Sequence, residues 1–379
     1  MIQETVLVQK LPTAGGNYVG VLTLNLPKSL NALNTTMVQT LLAQLRQWQN
    51  APDIAVIVLH GAGDRAFCAG GDIRHLYDSI QRTGHGVRNP EAEVFFLEEY
   101  RLDYLIHTYP KPIVVWGQGV VMGGGLGLMA GASHRIVTPS TRMAMPEINI
   151  GLFPDVGASW FLNRLPPGLG CFLGMTGISW QATDALWMGL ADYLCSDQQW
   201  PLLLQALQTA EFTTEDTFNR RLLRLILRSL ATTSELLPET SQIETHRLLW
   251  QAAGQGDTAV DVISQILALS DVSDPWMAQG LKNLRCGSPI TAMLVFEQLR
   301  RGRFLSLADC FAMEFLMAVH CCQWGDLAEG VRALLIDRSR SPKWQHPSYM
   351  QVDVDPYFSW SPAWGATPVL FADSSAAAT

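Results

Sequence analysis

Lys111 to Gly157 reads KPIVVWGQGVVMGGGLGLMAGASHRIVTPSTRMAMPEINIGLFPDVG, and the fold turns on this stretch. After Pro112 comes a short β-branched apolar run, Ile113 to Trp116, closed by glycine, which predicts a buried strand. Consecutive glycines, Gly123 to Gly125, then lead into LGLMAGA, a helix start, and His134 to Thr138 predicts a second strand. Strand, glycine turn and helix N-terminus in that order present backbone N–H groups to an anion or a developing oxyanion. Two carboxylates close the stretch in apolar surroundings, Glu147 after Met-Pro and Asp155 after Phe-Pro. Placed downstream of the turn, they can act on whatever it binds.

The same pattern recurs toward the N-terminus. Tyr18 to Asn25 predicts a strand, and a polar turn carrying Lys28 follows. Thr35 opens a helix with Met37, Leu41, Leu42 and Leu45 at helical spacing. Ile54 to Leu59 predicts another buried strand, and Phe67-Cys-Ala-Gly-Gly-Asp-Ile a second glycine turn entering a helix. Repeated strand–turn–helix units predict an α/β core with parallel pairing. Ser79 to Pro90 reads as a mobile loop and Glu91 to Tyr109 as a helix. Glu99 falls on that helix's apolar stripe with Phe95, Leu102 and Ile106; a carboxylate there is either a boundary residue or a deliberate one. From about Trp200 strand-like runs vanish and helical patterns take over, among them Arg221 to Leu230, Ala292 to Leu299, Leu305 to Cys321 and Leu327 to Ile336. Ser288-Pro289 starts one of them with a cap and a proline. The expected division is residues 1–199 as the core, 200–344 as a helical region packed on it, and 345–379 as an irregular tail.

Composition narrows the classes. With 48% apolar and 16% charged residues among 379, a sizeable core is available. A net charge of −8 argues against a general nucleic-acid surface, and Arg300-Arg301-Gly-Arg303 reads as a solvated helix end. Seven scattered cysteines suit free thiols in a reducing compartment. Met1 to Lys10 has neither the apolar run of a secretory signal nor the arginines of a transit peptide, so the expectation is a cytoplasmic protein. No apolar stretch is of membrane-spanning kind, since the glycine-rich stretch is too often broken.

Three chemistries compete for the motifs. Thioester chemistry needs two converging N–H donors on a carbonyl oxygen, and Gly71 and Gly124 each sit in a glycine turn at a strand–helix junction. Glu147 and Asp155, as acids in apolar surroundings, would titrate near neutrality. The bland alternative makes the turns tight connections and the acids caps or surface groups; two turns followed by two such acids weigh against it. A dinucleotide site is the second candidate, because Gly125-Leu-Gly127-Leu-Met-Ala130 fits G-x-G-x-x-A. That fingerprint wants its acid at the end of the second strand, whereas Glu147 lies a further loop beyond. The third is a metal site at His320-Cys321-Cys322, which lacks a partner pair at zinc spacing and reads as core packing. Neither G-x-x-x-x-G-K-[ST] nor G-x-S-x-G occurs.

FCAGGDI at Phe67 to Ile73, KPIVVWGQGVVMGGGLGL at Lys111 to Leu128 and MPEINIGLFPDVG at Met145 to Gly157 resemble the crotonase (enoyl-CoA hydratase/isomerase) superfamily. FFLEEY at Phe95 to Tyr100 and EGVRALLIDRSRSPKW at Glu329 to Trp344 bring the resemblance closest to its 3-hydroxyisobutyryl-CoA hydrolase branch. The resemblance covers about Tyr18 to Trp344 and is loose from Trp200 to Arg285. It implies a spiral of ββα units, a perpendicular pair of sheets and a C-terminal helical region. It further implies hydrolysis of a short 3-hydroxyacyl-CoA ester in valine breakdown, with an oxyanion hole from the N–H groups of Gly71 and Gly124. Glu147 and Asp155 match the branch's catalytic acids, and Glu99 a substrate contact. Gly71, Asp72, Ile73 and Arg74 would line the CoA moiety, and the loop from Lys28 to Ala32 its adenine and phosphates. CoA belongs to the substrate, so neither a metal nor a separate cofactor is expected. The expected partner is the acyl-CoA itself, with no nucleic acid or membrane. Superfamily members often assemble as trimers or pairs of trimers, so the resemblance implies a homo-oligomer unless the longer C-terminal region here blocks that packing. A hydratase of the superfamily carries a second glutamate where this chain has Gly127, which leaves hydration without its paired acids. A double-bond isomerase needs one base only, and a non-catalytic acyl-CoA-binding subunit needs none; Asp155, small and uncharged in hydratases, points to hydrolysis.

Overall fold

The computed structural model describes residues 4–231, 240–271, 274–360 and 370–371. The chain forms two compact units, each assembled from three stretches. Met1–Gly71, Leu105–Ala144 and Ser179–Thr245 make the first, and Asp72–Tyr104, Met145–Ile178 and His246–Thr379 the second.

The first unit holds both sheets. The larger runs in the order β1 (Val6–Pro12), β2 (Tyr18–Leu24), β3 (Ile54–Gly61), β5 (Ile113–Gly117), β7 (His134–Val137) and β10 (Tyr193–Leu194). Only β1 is antiparallel to its neighbour. Ile54 to Leu59 is buried without interruption, as a parallel strand covered on both faces must be. The smaller sheet runs β4 (Ala66–Cys68), β6 (Val120–Met122), β8 (Arg142–Ala144), β9 (Trp180–Gln181), with the last pair antiparallel. The expected helix at Thr35 runs Thr35–Gln49, with Asn34 accepting the N–H of Met37 as its cap.

The division expected after residue 199 does not follow these units. Helices Trp200–Gln208 and Asp216–Leu230 lay Leu203, Leu207, Leu223 and Leu227 against Val56, Val58, Val114 and Ile136 of the large sheet. Burial of those leucines ties the two helices to the strands and not to the helices that follow them in sequence.

The second unit is almost wholly helical. Its main elements are Pro275–Cys286, Pro289–Gly302 and Leu307–Trp324, opened by Asp274, Ser288 and Ser306, each side chain accepting a backbone N–H of the first turn. Leu327–Val331 runs on into a π-turn at Arg332–Ile336. The mobile loop expected over Ser79 to Pro90 is corrected: helix Ile73–Thr83 covers its first half, and the remainder is pinned. Asn89 donates to the buried Ser79 hydroxyl at 2.8 Å, and Gly86 and Gln323 exchange two hydrogen bonds. Of the tail, the segment through Trp360 is docked, with His320 Nε2 at 2.8 Å from the Ser359 carbonyl, and where the sequence predicted irregular chain it holds the 3-10 turns Tyr349–Gln351 and Asp355–Phe358. His320, Cys321 and Cys322 are all buried on Leu307–Trp324, the histidine through that contact. Residues 361–369 and 372–379 of the expected tail lie outside the described residues. No helix among the described residues is long and apolar enough to cross a membrane.

Candidate active site

In the first unit β4 and β6 pair in parallel, so the glycine turns that follow them leave the sheet side by side. The turns touch: a Cβ added to Gly70 would stand 3.5 Å from the amide nitrogen of Gly124, and one on Gly125 only 2.3 Å from the carbonyl oxygen of Cys68. Backbone packs on backbone here, which only glycine permits. Gly124 is the first residue of helix Gly124–Ala130, whose opening N–H groups have no partner within the helix. Gly71 and Gly124 therefore lie in neighbouring turns. The loop from Lys28 to Ala32 is stitched to the first of them, the N–H of Ala69 donating to Leu30 at 3.0 Å and that of Leu33 to Gly70 at 2.8 Å. Lys28, Asn31, Asp64 and Arg65 line a cavity of about 170 Å³ beside this loop.

Asp72, Ile73 and Arg74 fall in the second unit, at the start of Ile73–Thr83. The Asp72 carboxylate accepts the His75 N–H as the helix cap, and Arg74 donates to the Leu335 carbonyl at 3.1 Å. The side chains of Asp72 and Arg74 are thus engaged within the protein.

The second unit also gathers the acids. Glu147 opens the 3-10 turn Glu147–Asn149 and is 5% exposed; Asp155 is 4%, Glu99 2% and Asp103 0% exposed. Tyr100 Oη donates to Asp155 Oδ2 at 2.8 Å. Glu99 Oε1, Glu147 Oε2 and both oxygens of Asp103 have no hydrogen-bond partner among the described residues. Burial, then the charge of Asp155, pushes Glu99 and Glu147 well above the carboxylate range. Burial, then Glu99, Asp155 and Glu314, does the same to Asp103. Burial raises Asp155 to about 7 against the pull of the Tyr100 hydroxyl. Burial leads in every case, and the charge of Asp155 raises Glu99, Asp103 and Glu147 further, so an ionised Asp155 discourages the other three from losing their protons. Such carboxyls can give and take protons near neutrality.

The sequence reading brought Glu99, Glu147 and Asp155 forward; it passed over Tyr100, Asp103 and Glu314. Asp103 stands one helical turn after Glu99, at i+4 on the same stripe, a spacing that repeats the signal used for Glu99. Glu314 interrupts the apolar run FAMEFLMAV, which is the same kind of signal. Tyr100 gives none, since an aromatic beside Phe96 reads as core.

Asp103 allows a stability test. Its native pKa is raised, so the stability it contributes by keeping its proton is complete below the unfolded value of 3.8 and drains away as pH rises toward the native value. Asp103→Asn has no proton to lose. Relative to wild type its unfolding free energy should climb between pH 5 and pH 8, by at most about 1.4 kcal/mol per pH unit. Urea unfolding at both pH values checks this; an unchanged difference would mean that Asp103 ionises freely.

Residues 19–358 match the family model described as enoyl-CoA hydratase/isomerase. A protein of Dictyostelium discoideum named 3-hydroxyisobutyryl-CoA hydrolase, mitochondrial, is 39% identical over 88% of this chain and 87% of its own length. The human protein of the same name is 33% identical over 88% and 83%. Among solved structures, a carnitinyl-CoA dehydratase from Mycobacterium thermoresistibile superposes with TM-score 0.82 at 34% identity, over 95% of this chain and 97% of its own. An enoyl-CoA hydratase from Rhodobacter sphaeroides 2.4.1 does so with TM-score 0.79 at 32% identity, over 94% and 97%. The relatives named as hydrolases are also named mitochondrial, which overturns the cytoplasmic expectation. Free thiols mark a reducing compartment without saying which one.

Proposed function

Since the chain belongs to the enoyl-CoA hydratase/isomerase family, we propose that it hydrolyses a short 3-hydroxyacyl-CoA thioester, 3-hydroxyisobutyryl-CoA before others, as in valine breakdown. The observation that carries this reading is the pair of buried acids Glu147 and Asp155, the charge of the second raising the first, with glycine at position 127. A hydrolase needs one group to attack or to activate water and another to move a proton. A hydratase needs two carboxylates gripping one water, and Gly127 supplies neither charge nor side chain.

In this reading the N–H groups of Gly71 and Gly124 take the thioester oxygen as charge builds on it. Ionised Glu147 adds to the carbonyl carbon, the C–S bond breaks, and protonated Asp155 gives its proton to the departing thiolate. Water then adds to the acyl anhydride and its proton passes to Asp155, which frees Glu147 and the hydroxy acid. If Glu147 instead deprotonates the water directly, the same residues serve. Glu99 holds the substrate's hydroxyl end. Lys28 and the loop to Ala32, with the turn from Gly71 to Arg74, serve the CoA moiety, and the reaction so written uses no resident cofactor or metal.

The similar structures named for hydration and dehydration favour a second reading, so the test runs both reactions on one preparation. Free-thiol release from a panel of short 3-hydroxyacyl-CoA esters is expected to exceed loss of crotonyl-CoA enone absorbance by on the order of a hundredfold in kcat/KM. Enone loss without thiol release would make the chain a hydratase. Ester binding with neither reaction would make it an acyl-CoA-binding subunit.

A further inference from the structure

Glu314 is fully buried on the apolar helix Leu307–Trp324, among Phe311, Met313, Phe315 and Met317. A carboxyl there is costly unless it is well partnered. Its partners come from far along the chain: Oε2 accepts the N–H of Gly157 at 2.7 Å and Oε1 that of Ser159 at 2.8 Å. These two N–H groups open the single helical turn Ala158–Phe161. A local serine or threonine ordinarily serves such a turn, so a buried acid supplied from another helix calls for a reason.

The backbone just before that turn supplies one. Val156 has φ +52° and Gly157 φ +89°. A β-branched residue in the left-handed region is strained, and such strain persists only where the surroundings over-determine it. The neighbouring backbone is held at each end. Thr291 Oγ1 donates to the Leu152 carbonyl at 2.6 Å, Gln298 Nε2 to the Pro154 carbonyl at 2.5 Å, and the Ala158 N–H to the Asp155 carbonyl at 2.9 Å. Glu314 closes the far side, and Asp155 stands in the middle with Tyr100 on its carboxylate.

We infer that Glu314 is a positioning residue for Asp155: the two oxygens of its carboxyl group clamp the strained Val156–Gly157 turn and thereby fix where the Asp155 side chain stands. The inference rests on the reading of Asp155 as part of the hydrolytic machinery. Glu314 touches no reacting atom; it acts through the turn. Glutamine at this position keeps one acceptor but turns an amide N–H₂ toward a backbone N–H, so one half of the clamp opens.

The test is a double-mutant cycle read in kcat and KM. Glu314→Gln alone should lower kcat by on the order of 10- to 100-fold, with KM for the acyl-CoA ester within about threefold of wild type. In an Asp155→Asn background the same change should cost less than about twofold, because the group it positions is already disabled. Equal losses in both backgrounds, or a wild-type kcat for E314Q, overturn the inference. If E314Q does not fold, E314D is measured in the same cycle, since its shorter carboxylate withdraws from the turn without removing the acid. The two readings fail separately: D155N with wild-type turnover refutes the role of Asp155, whereas an impaired D155N beside an unimpaired E314Q or E314D refutes only the role of Glu314.

Discussion

Glu147→Gln is expected to reduce free-CoA release by on the order of a thousandfold while acyl-CoA binding stays within a few-fold of wild type. The amide has nearly the shape of the carboxyl, but it can neither add to a thioester nor take a proton from water. In the proposed reading binding rests on the turn at Gly71 and the loop from Lys28 to Ala32, so KM has little reason to move. The substitution also removes an acid that burial and Asp155 hold well above the carboxylate range, so it leaves no charge stranded in the core. Thiol release under single-turnover conditions, beside calorimetric titration with a non-hydrolysable ester analogue, separates the two parameters. Turnover within tenfold of wild type would remove Glu147 from the chemistry, and with it the hydrolytic reading.

The strength of that expectation follows from how much of the site could be read in advance. The glycine turns and the helices they open are local, and both were legible because a glycine run just ahead of a helix start has few other uses. Strand β1 was not, because its pattern is mostly exposed and it reads as polar coil until β2 pairs with it. The smaller sheet was invisible as strands: its members have two or three residues, too few to show a period. Glu147 and Asp155 were found from their apolar flanks. The partners that set their behaviour, Tyr100, Asp103 and Glu314, come from two other helices, and only the packing of those helices brings them to the turn. For the same reason residues 72–104 and 145–178 group with the late helices: burial decides membership, and burial is a long-range property.

Asp155→Asn is the complementary experiment, and its expected signature is a moved pH profile as well as a lost rate. Asparagine keeps an oxygen for the Tyr100 hydroxyl, and the turn through Val156 is untouched, so the fold and ester binding should persist. Turnover should fall by on the order of a hundredfold or more, since the proton that Asp155 gives and retakes has no other carrier of matched pKa. Asp155, at about 7, titrates before Glu314, at about 8, while Glu99, Asp103 and Glu147 are pushed well up. The first negative charge in the set therefore forms near pH 7, on Asp155, and attack requires a proton to pass from Glu147 to Asp155 so that the charge stands on Glu147. Below this pH, kcat/KM should fall tenfold per unit as the set becomes fully protonated; above it the rate should level off. With asparagine at 155 the most easily ionised member is gone. The first charge must then form on a carboxyl that burial holds higher, and the rising limb moves to higher pH. A D155N profile with its limb still near 7 would assign that titration to another group. Wild-type turnover in the same variant would leave Asp155 a buried, hydrogen-bonded acid without a part in the reaction.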